Sequence, residues 1–255
     1  MNSKKVLELA VTVGERLIFN GCATHQIEDQ VHKILSVSPF TNKEVFVSTS
    51  SIIVTVDSPE SGLLTMVKQV QKKGMNQERI ALIEDIVIAF SNGDLSAEEA
   101  ITALRNLAKK STYSFPVIVS AFALSGAFRA FMFGGTIYDF LAAIVVGACV
   151  GITLQFLNTQ KLPAFLVTMS AGFIVGFVAV LLRNFHIGTN LDKIIIGSLI
   201  TFAPGVPMAH AINDVLNGEQ LSGWIRVLEA TISGVAIAVG IAFALYFWAL
   251  IGGVN

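Results

Sequence analysis

The stretch TFAPGVPMAH, Thr201–His210, places Pro204, Gly205 and Pro207 inside a long apolar run and ahead of His210, Asn213 and Asp214. A proline in a helix interior lacks an N–H donor and costs about 3 kcal/mol. At membrane depth the carbonyls it frees need partners in neighbouring helices, water or a ligand. Discontinuous helices serve transporters in this way: their exposed amino ends attract anions and their freed carbonyls attract cations. The chemistry suggested is therefore binding and passing a small ion or acid, with a proline kink that only shapes a bundle as the plain alternative. If the helix continues, His210, Asn213 and Asp214 fall within about one turn of each other. Gly218 and Gly223 then bracket a turn, and Arg226 with Glu229 opens the last apolar segment. At membrane depth such polar groups are usually functional; at the surface, an Asp214–Arg226 or Arg226–Glu229 pair would be ordinary solvated electrostatics.

Other reactive side chains are sparse. Cys22, His25, Asp29 and His32 would share a helical face able to hold a metal, but Asn20-Gly21 interrupts the helix beside Cys22, and no metal or cofactor is expected. Cys22 and Cys149 lie in different regions and suggest no disulfide framework. Arg129, in SGAFRAFMFGG, either snorkels to the outer interface or faces a path and holds a carboxylate, with Asp139 as its nearest candidate partner. There is no nucleophile elbow, P-loop or dinucleotide fingerprint. A membrane-anchored hydrolase or a non-transporting scaffold remains the alternative reading, but residues 1–110 offer no catalytic constellation.

The elements that must position these residues divide the chain. Of 255 residues, 53% are hydrophobic, and mean hydropathy is +0.69. Residues 1–110 hold 12 Lys/Arg and 13 Asp/Glu, against 5 and 5 beyond. The pattern predicts a cytoplasmic α+β domain over 1–112 and a membrane domain over 113–255. Net charge of −1 argues against nucleic acid as a partner. In the first domain, helices are expected from Lys4 to Phe19, from Thr24 to Leu35, after Asn76, and after the capping box of Ser96 and Glu99. EVFVSTS and SIIVTVD read as strands, and LLTMVKQV as a strand or a helix. Five transmembrane helices are expected at about 115–134, 137–157, 163–182, 193–213 and 228–251. With no export signal, residues 1–112 stay inside and Asn255 is outside; Lys109, Lys110, Lys161 and Arg226 are then cytoplasmic, and Arg183 and Lys193 are not. The localisation expected is the plasma (inner) membrane. GACVG and GFIVG allow helices to approach closely.

Two stretches resemble the threonine/serine exporter family. GERLIFNGCATHQIEDQVHKI, Gly14–Ile34, is similar to its amino-terminal signature at Gly14, Glu15, Leu17, Gly21, Thr24 and Glu28, with Cys22 where alanine is expected. PGVPMAHAINDVLNGEQLSGWIRVLEA, Pro204–Ala230, resembles the family's proline-rich segment at Pro204, Pro207, Asp214, Gly218, Ser222, Gly223 and Arg226. The resemblance implies a secondary exporter of small carboxylate-bearing metabolites, either threonine and serine or dicarboxylates such as succinate. Full-length members carry a second membrane half, so the chain looks like the large subunit of a split form. The implied partner is a small membrane protein supplying the other half, with a homo-oligomer as the alternative.

Overall fold

The computed structural model describes residues 3–70, 74–109, 113–160 and 162–251. By contacts the chain groups into two compact units, Met1–Thr112 with Val206–Val227, and Tyr113–Gly205 with Leu228–Asn255.

The first unit is organised around helix α1 (Ser3–Phe19), whose Val6, Leu9, Ala10, Val13 and Leu17 are all buried. Leu7, Val11 and Ile18 are buried on its other faces, as expected of a central helix. Beside it lie α2 (Thr24–Ser36), α3 (Gln77–Asn92), α4 (Ala97–Lys109) and an antiparallel sheet β1 (Asn42–Val47), β2 (Ser51–Ser58), β3 (Gly62–Gln69), in that order. The ambiguous LLTMVKQV segment is thus a strand. The central strand alternates strictly: Ile52, Val54 and Val56 are buried, while Ile53 and Thr55 are only partly covered. Gly14 lets α1 meet the sheet, because a Cβ there would collide with the Ile52 side chain. The expected caps form: the Asn76 side chain accepts from Arg79 N–H, and Ser96 and Glu99 bond reciprocally.

The second unit is helical: α5 (Phe115–Met132), α6 (Ile137–Thr159), α7 (Ala164–Asn184), α8 (Leu191–Leu199) and residues 228–250 of α10 (Gln220–Leu250). Its buried positions are mostly small, among them Ala127, Ala130, Ala142, Ala143 and Ala171, while Phe128, Phe131, Phe156 and Tyr246 are exposed. That distribution suits helices in lipid, where close backbone packing rather than burial of large apolar groups drives association. A Cβ at Gly147 would fall 2.5 Å from the Phe122 carbonyl oxygen, and one at Gly172 2.5 Å from that of Ile237.

Four helices among the described residues, α5, α6, α7 and α10, are long and apolar enough to cross a membrane. The expected fifth, over 193–213, is two shorter helices. Helix α8 ends at Leu199, and α9 runs over Gly205–Leu216. The prolines do not kink a continuous helix. Pro204 precedes α9 and Pro207 lies in its first turn, where the missing N–H has no intrahelical acceptor to lose. Residues 206–227, read from sequence as a span end and a turn, group with the first unit. Gly218, at φ +91°, makes the turn, but Gly223 is already inside α10. A Cβ there would strike the Val215 side chain and come within 2.9 Å of the Ala211 carbonyl oxygen, so Gly223 lets α10 pack on α9. Lys110, Lys161 and Asn255, on which the expected orientation partly rests, lie outside the described residues, as does the side chain of Lys109.

Candidate functional site

Within the first unit, the two segments singled out from sequence meet at Asp214. Its carboxylate, on α9, is fully buried. Oδ1 accepts the backbone N–H of Thr24 at 3.0 Å, and Oδ2 accepts the Thr24 hydroxyl at 3.3 Å. Thr24 is the first residue of α2, whose own N-cap, Ala23, has no side chain to offer. A carboxylate 190 residues away therefore caps that helix and sits in the positive end of its dipole.

Arg226, on the first turns of α10, brings Nε to 2.9 Å from Asp214 Oδ2. This is an ion pair without hydrogen-bond alignment. The same guanidinium donates from Nη2 to the Cys22 carbonyl oxygen at 2.7 Å, so it also fastens the loop leading into α2. That loop depends on Gly21, whose φ of +81° is left-handed and where a Cβ would fall 2.8 Å from the Gly74 carbonyl oxygen.

A directed hydrogen-bond chain approaches the same carboxylate. Asn217 Nδ2 donates to Asn213 Oδ1 at 3.1 Å, which turns the Asn213 amide nitrogen toward His25 Nε2 at 3.3 Å. An amide nitrogen only donates, so Nε2 accepts and a neutral His25 carries its proton on Nδ1. That nitrogen is buried, has no hydrogen-bond partner among the described residues, and lies 3.7 Å from Asp214 Oδ1. His210, one turn before Asp214 on α9, is half-buried in the combined field of Arg226, Asp214 and His25.

Glu28 is one turn along α2 from Thr24. Burial and the nearby Glu219, Asp29 and Asp214 push its carboxyl up to about 7 despite a hydrogen bond to the Val47 backbone. Glu15 faces Lys68 at 3.9 Å. Gly14 and Gly21 serve packing and chain reversal, as described above. Burial, with Glu84 nearby, raises the Cys22 thiol to about 12; it stays protonated at neutral pH and donates to Gln26 Oε1 at 3.4 Å. The cluster thus holds a carboxylate, a guanidinium and an imidazole but no activated nucleophile. Its charge balance rests on Arg226, the guanidinium in contact with the buried carboxylate.

Among the sequence candidates, Thr24, Asp214 and Arg226 are brought into direct contact, and Asn213 joins them through His25. Pro207 and Gly218 bound the helix that carries Asp214. Pro204 and Gly205 mark the break before it, and nothing lies close enough to Gly205 to demand a glycine. The sequence offers His25 only as a metal-ligand candidate. Its role here follows from its place beside Thr24 at a helix start, which no spacing pattern reveals. Among the described residues, no group of three or more His, Cys, Asp or Glu is placed to hold a metal ion.

In the second unit, Asp139 is not the partner of Arg129. Its carboxylate caps α6 through Thr136 N–H and hydroxyl, at 2.7 and 2.9 Å. It also accepts the backbone N–H groups of Thr189 and Asn190 at 2.7 and 2.8 Å, and the Asn190 side-chain amide at 2.8 Å.

A family model described as "Putative threonine/serine exporter" matches residues 8–248. The "Threonine/serine exporter" of Corynebacterium glutamicum is 21% identical over 249 residues, which cover 94% of this chain and 51% of that protein. A Mycobacterium tuberculosis protein named "Probable threonine/serine exporter" is 21% identical over 251 residues, covering 96% and 46%. "Pheromone-regulated membrane protein 10" of Debaryomyces hansenii is 27% identical over 241 residues, covering 91% and 24%. The chain spans about half the length of the first two of these relatives. No solved structure matches.

Proposed function

The chain belongs to the threonine/serine exporter family, and on that premise we propose that it is one half of a secondary exporter of small carboxylate-bearing metabolites. The substrates are threonine and serine, or dicarboxylates such as succinate. The protein sits in the plasma (inner) membrane with residues 1–112 on the cytoplasmic side. The other half is a second, small membrane protein, or else a second copy of this chain.

The observation that carries the reading is the convergence of Gly14–Ile34 and Pro204–Ala230 on the buried Asp214–Arg226 pair. A latch of this kind holds α9, with Pro207 in its first turn, to the amino-terminal helices. A substrate carboxylate drawn to Arg226 weakens the latch and frees the segment. Pro204, Gly205, Pro207, His210, Asn213, Asp214 and Arg226 are assigned to the substrate path in this scheme, and Gly14, Glu15, Gly21, Thr24 and Glu28 to the surface on which it closes.

The test is efflux from vesicles loaded with radiolabelled threonine, serine or succinate. Vesicles holding this chain together with its second half should release at least one of the three, and Asp214→Asn should slow release about tenfold or more, in line with loss of a charge-assisted contact. Failure of the pair to release any of them would overturn the reading. Full release by this chain alone, as a monomer, would remove the two-half arrangement.

A further inference from the structure

We propose that Arg129, hydrogen-bonded to the hydroxyls of Ser125 and Thr201 and with Ser198 on the facing helix α8, is a seat for a carboxylate group of the transported metabolite; the assignment rests on the exporter reading. Arg129 lies near the end of α5, a helix apolar enough to span a membrane. Its guanidinium turns toward other protein groups: Nη1 donates to Ser125 Oγ one turn back and to Thr201 Oγ1 at 2.9 Å. Both acceptors are neutral. Among the described residues no carboxylate pairs with Arg129, and Asp139, which could have, is committed to Thr136, Thr189 and Asn190. Both contacts come from one nitrogen, leaving Nη2 and Nε of the planar fork without protein acceptors among the described residues. A guanidinium on a membrane-spanning helix, paired with no carboxylate, is costly to keep and is characteristically functional.

A second feature points the same way. Ser198 is 2% exposed, and its hydroxyl has no hydrogen-bond partner. It stands one turn before Thr201 and faces α5 at Gly126, the neighbour of Ser125. The scaffold is tight. A Cβ at Gly197 would fall 2.5 Å from the Ala130 amide nitrogen, so the residues flanking Arg129 and Ser198 are held by backbone contact. A fixed cation, a fork with free donors and an orphaned buried hydroxyl, in a site lacking an anion, together complement a planar carboxylate. Thr201 belongs to the stretch between α8 and α9, so the seat lies directly against the break that precedes Pro204.

The experiment is equilibrium binding of radiolabelled succinate and threonine to the full chain in lipid nanodiscs, alongside the efflux assay. Arg129→Gln should weaken binding by about tenfold or more, Arg129→Lys should retain part of it, and Ser198→Ala should weaken it a few-fold, the range expected for charged and neutral hydrogen bonds. Succinamide, which has the same skeleton without carboxylates, should compete poorly and equally against wild type and Arg129→Gln. If Arg129→Gln does not fold, Arg129→Lys and Ser198→Ala carry the comparison. Unchanged affinity in the folded variants, or no binding of either probe by wild type, overturns the seat. Arg129-dependent binding without efflux in the presence of the second half sinks the exporter reading and keeps the seat. Normal efflux by Arg129→Gln does the reverse.

Discussion

Each unit of the molecule is fastened by one fully buried aspartate, Asp214 in the first and Asp139 in the second. Both do a similar backbone task, accepting N–H groups at the start of a helix distant in sequence. Asp214 takes Thr24 at the head of α2, and Asp139 takes Thr189 and Asn190 at the head of α8. They differ in what completes the shell. The partners of Asp139 are all neutral amides and hydroxyls, and they match the lone pairs of an ionised carboxylate. Asp214 accepts from Thr24 alone and otherwise relies on Arg226 and on the His25 ring. A carboxylate saturated by dipoles has no easy way to let go. One balanced by a cation depends on that cation, and stays buried and uncompensated if it is removed. A dipole-saturated fastening and a charge-balanced one can therefore share the same residue type and the same burial.

The largest effect should come from removing the cation. Arg226→Gln leaves Asp214 buried without a counter-charge and should destabilise the full chain by about 3–5 kcal/mol. Adding Asp214→Asn should recover a good part of that loss, because the double variant no longer buries an unpaired charge. Denaturant or thermal unfolding of the full chain measures both. In the second unit, Asp139→Asn should cost about 1–3 kcal/mol, since an amide nitrogen then faces donors it cannot accept from. No charge change elsewhere should rescue it. A double variant no better than Arg226→Gln, or an Asp139→Asn loss exceeding the Arg226→Gln loss, would break the distinction between the two fastenings.

That distinction was only half legible in the sequence. Local signals carried far: the helix period placed α1 through Val6, Leu9, Val13 and Leu17, and Asn76 and the Ser96–Glu99 box marked helix starts. Alternation fixed β2, and the proline pair located a break. Thr136 and Asp139 form a capping box just as local, but the nearby Arg129 offers Asp139 an equally simple partner in sequence. The division of 193–213 into two helices was harder to see, because prolines read as a kink look the same as prolines in a first turn. Gly223 looked like a turn residue because its reason for being glycine, the approach of α10 to α9, is a tertiary fact. The contacts of Thr24 and His25 with Asp214 and Asn213 bridge some 190 residues, and no periodicity carries information over that distance. The resemblance picked out both segments without showing that they touch.

A smaller effect sharpens the comparison along α10, which contributes residues to both units. Gly223→Ala, in the first unit, must push against Val215 and the Ala211 carbonyl and should cost about 1–3 kcal/mol. Gly234→Ala, in the second, meets nothing within 4 Å and should be neutral or stabilising by about 0.5–1 kcal/mol. Paired unfolding curves decide it. Equal costs at the two positions would mean that Gly223 is not a packing residue.

The smallest effect concerns protons. Glu28 lies near the Asp214 fastening, and its carboxyl is pushed up to about 7 from an ordinary value of 4.5, first by burial and then by Glu219. The folded chain therefore holds this proton more tightly than the unfolded chain does. As pH rises from about 4.5 through 7, the folded state gives up a proton that the unfolded state has already released, so stability falls across that window, and the penalty is complete above it. Glu28→Gln removes the ionisable group while keeping an acceptor for the Val47 N–H. It should melt higher than wild type at about pH 8, with the advantage shrinking toward about pH 5. Glu219→Gln should move the midpoint of the wild-type slope down, because it removes the largest neighbouring charge acting on Glu28. The fastening at Asp139 lies in the other unit, so Asp139→Asn should shift the melting curve without altering this pH dependence. A melting advantage for Glu28→Gln that stays constant from about pH 5 to about pH 8 would show that Glu28 does not titrate there.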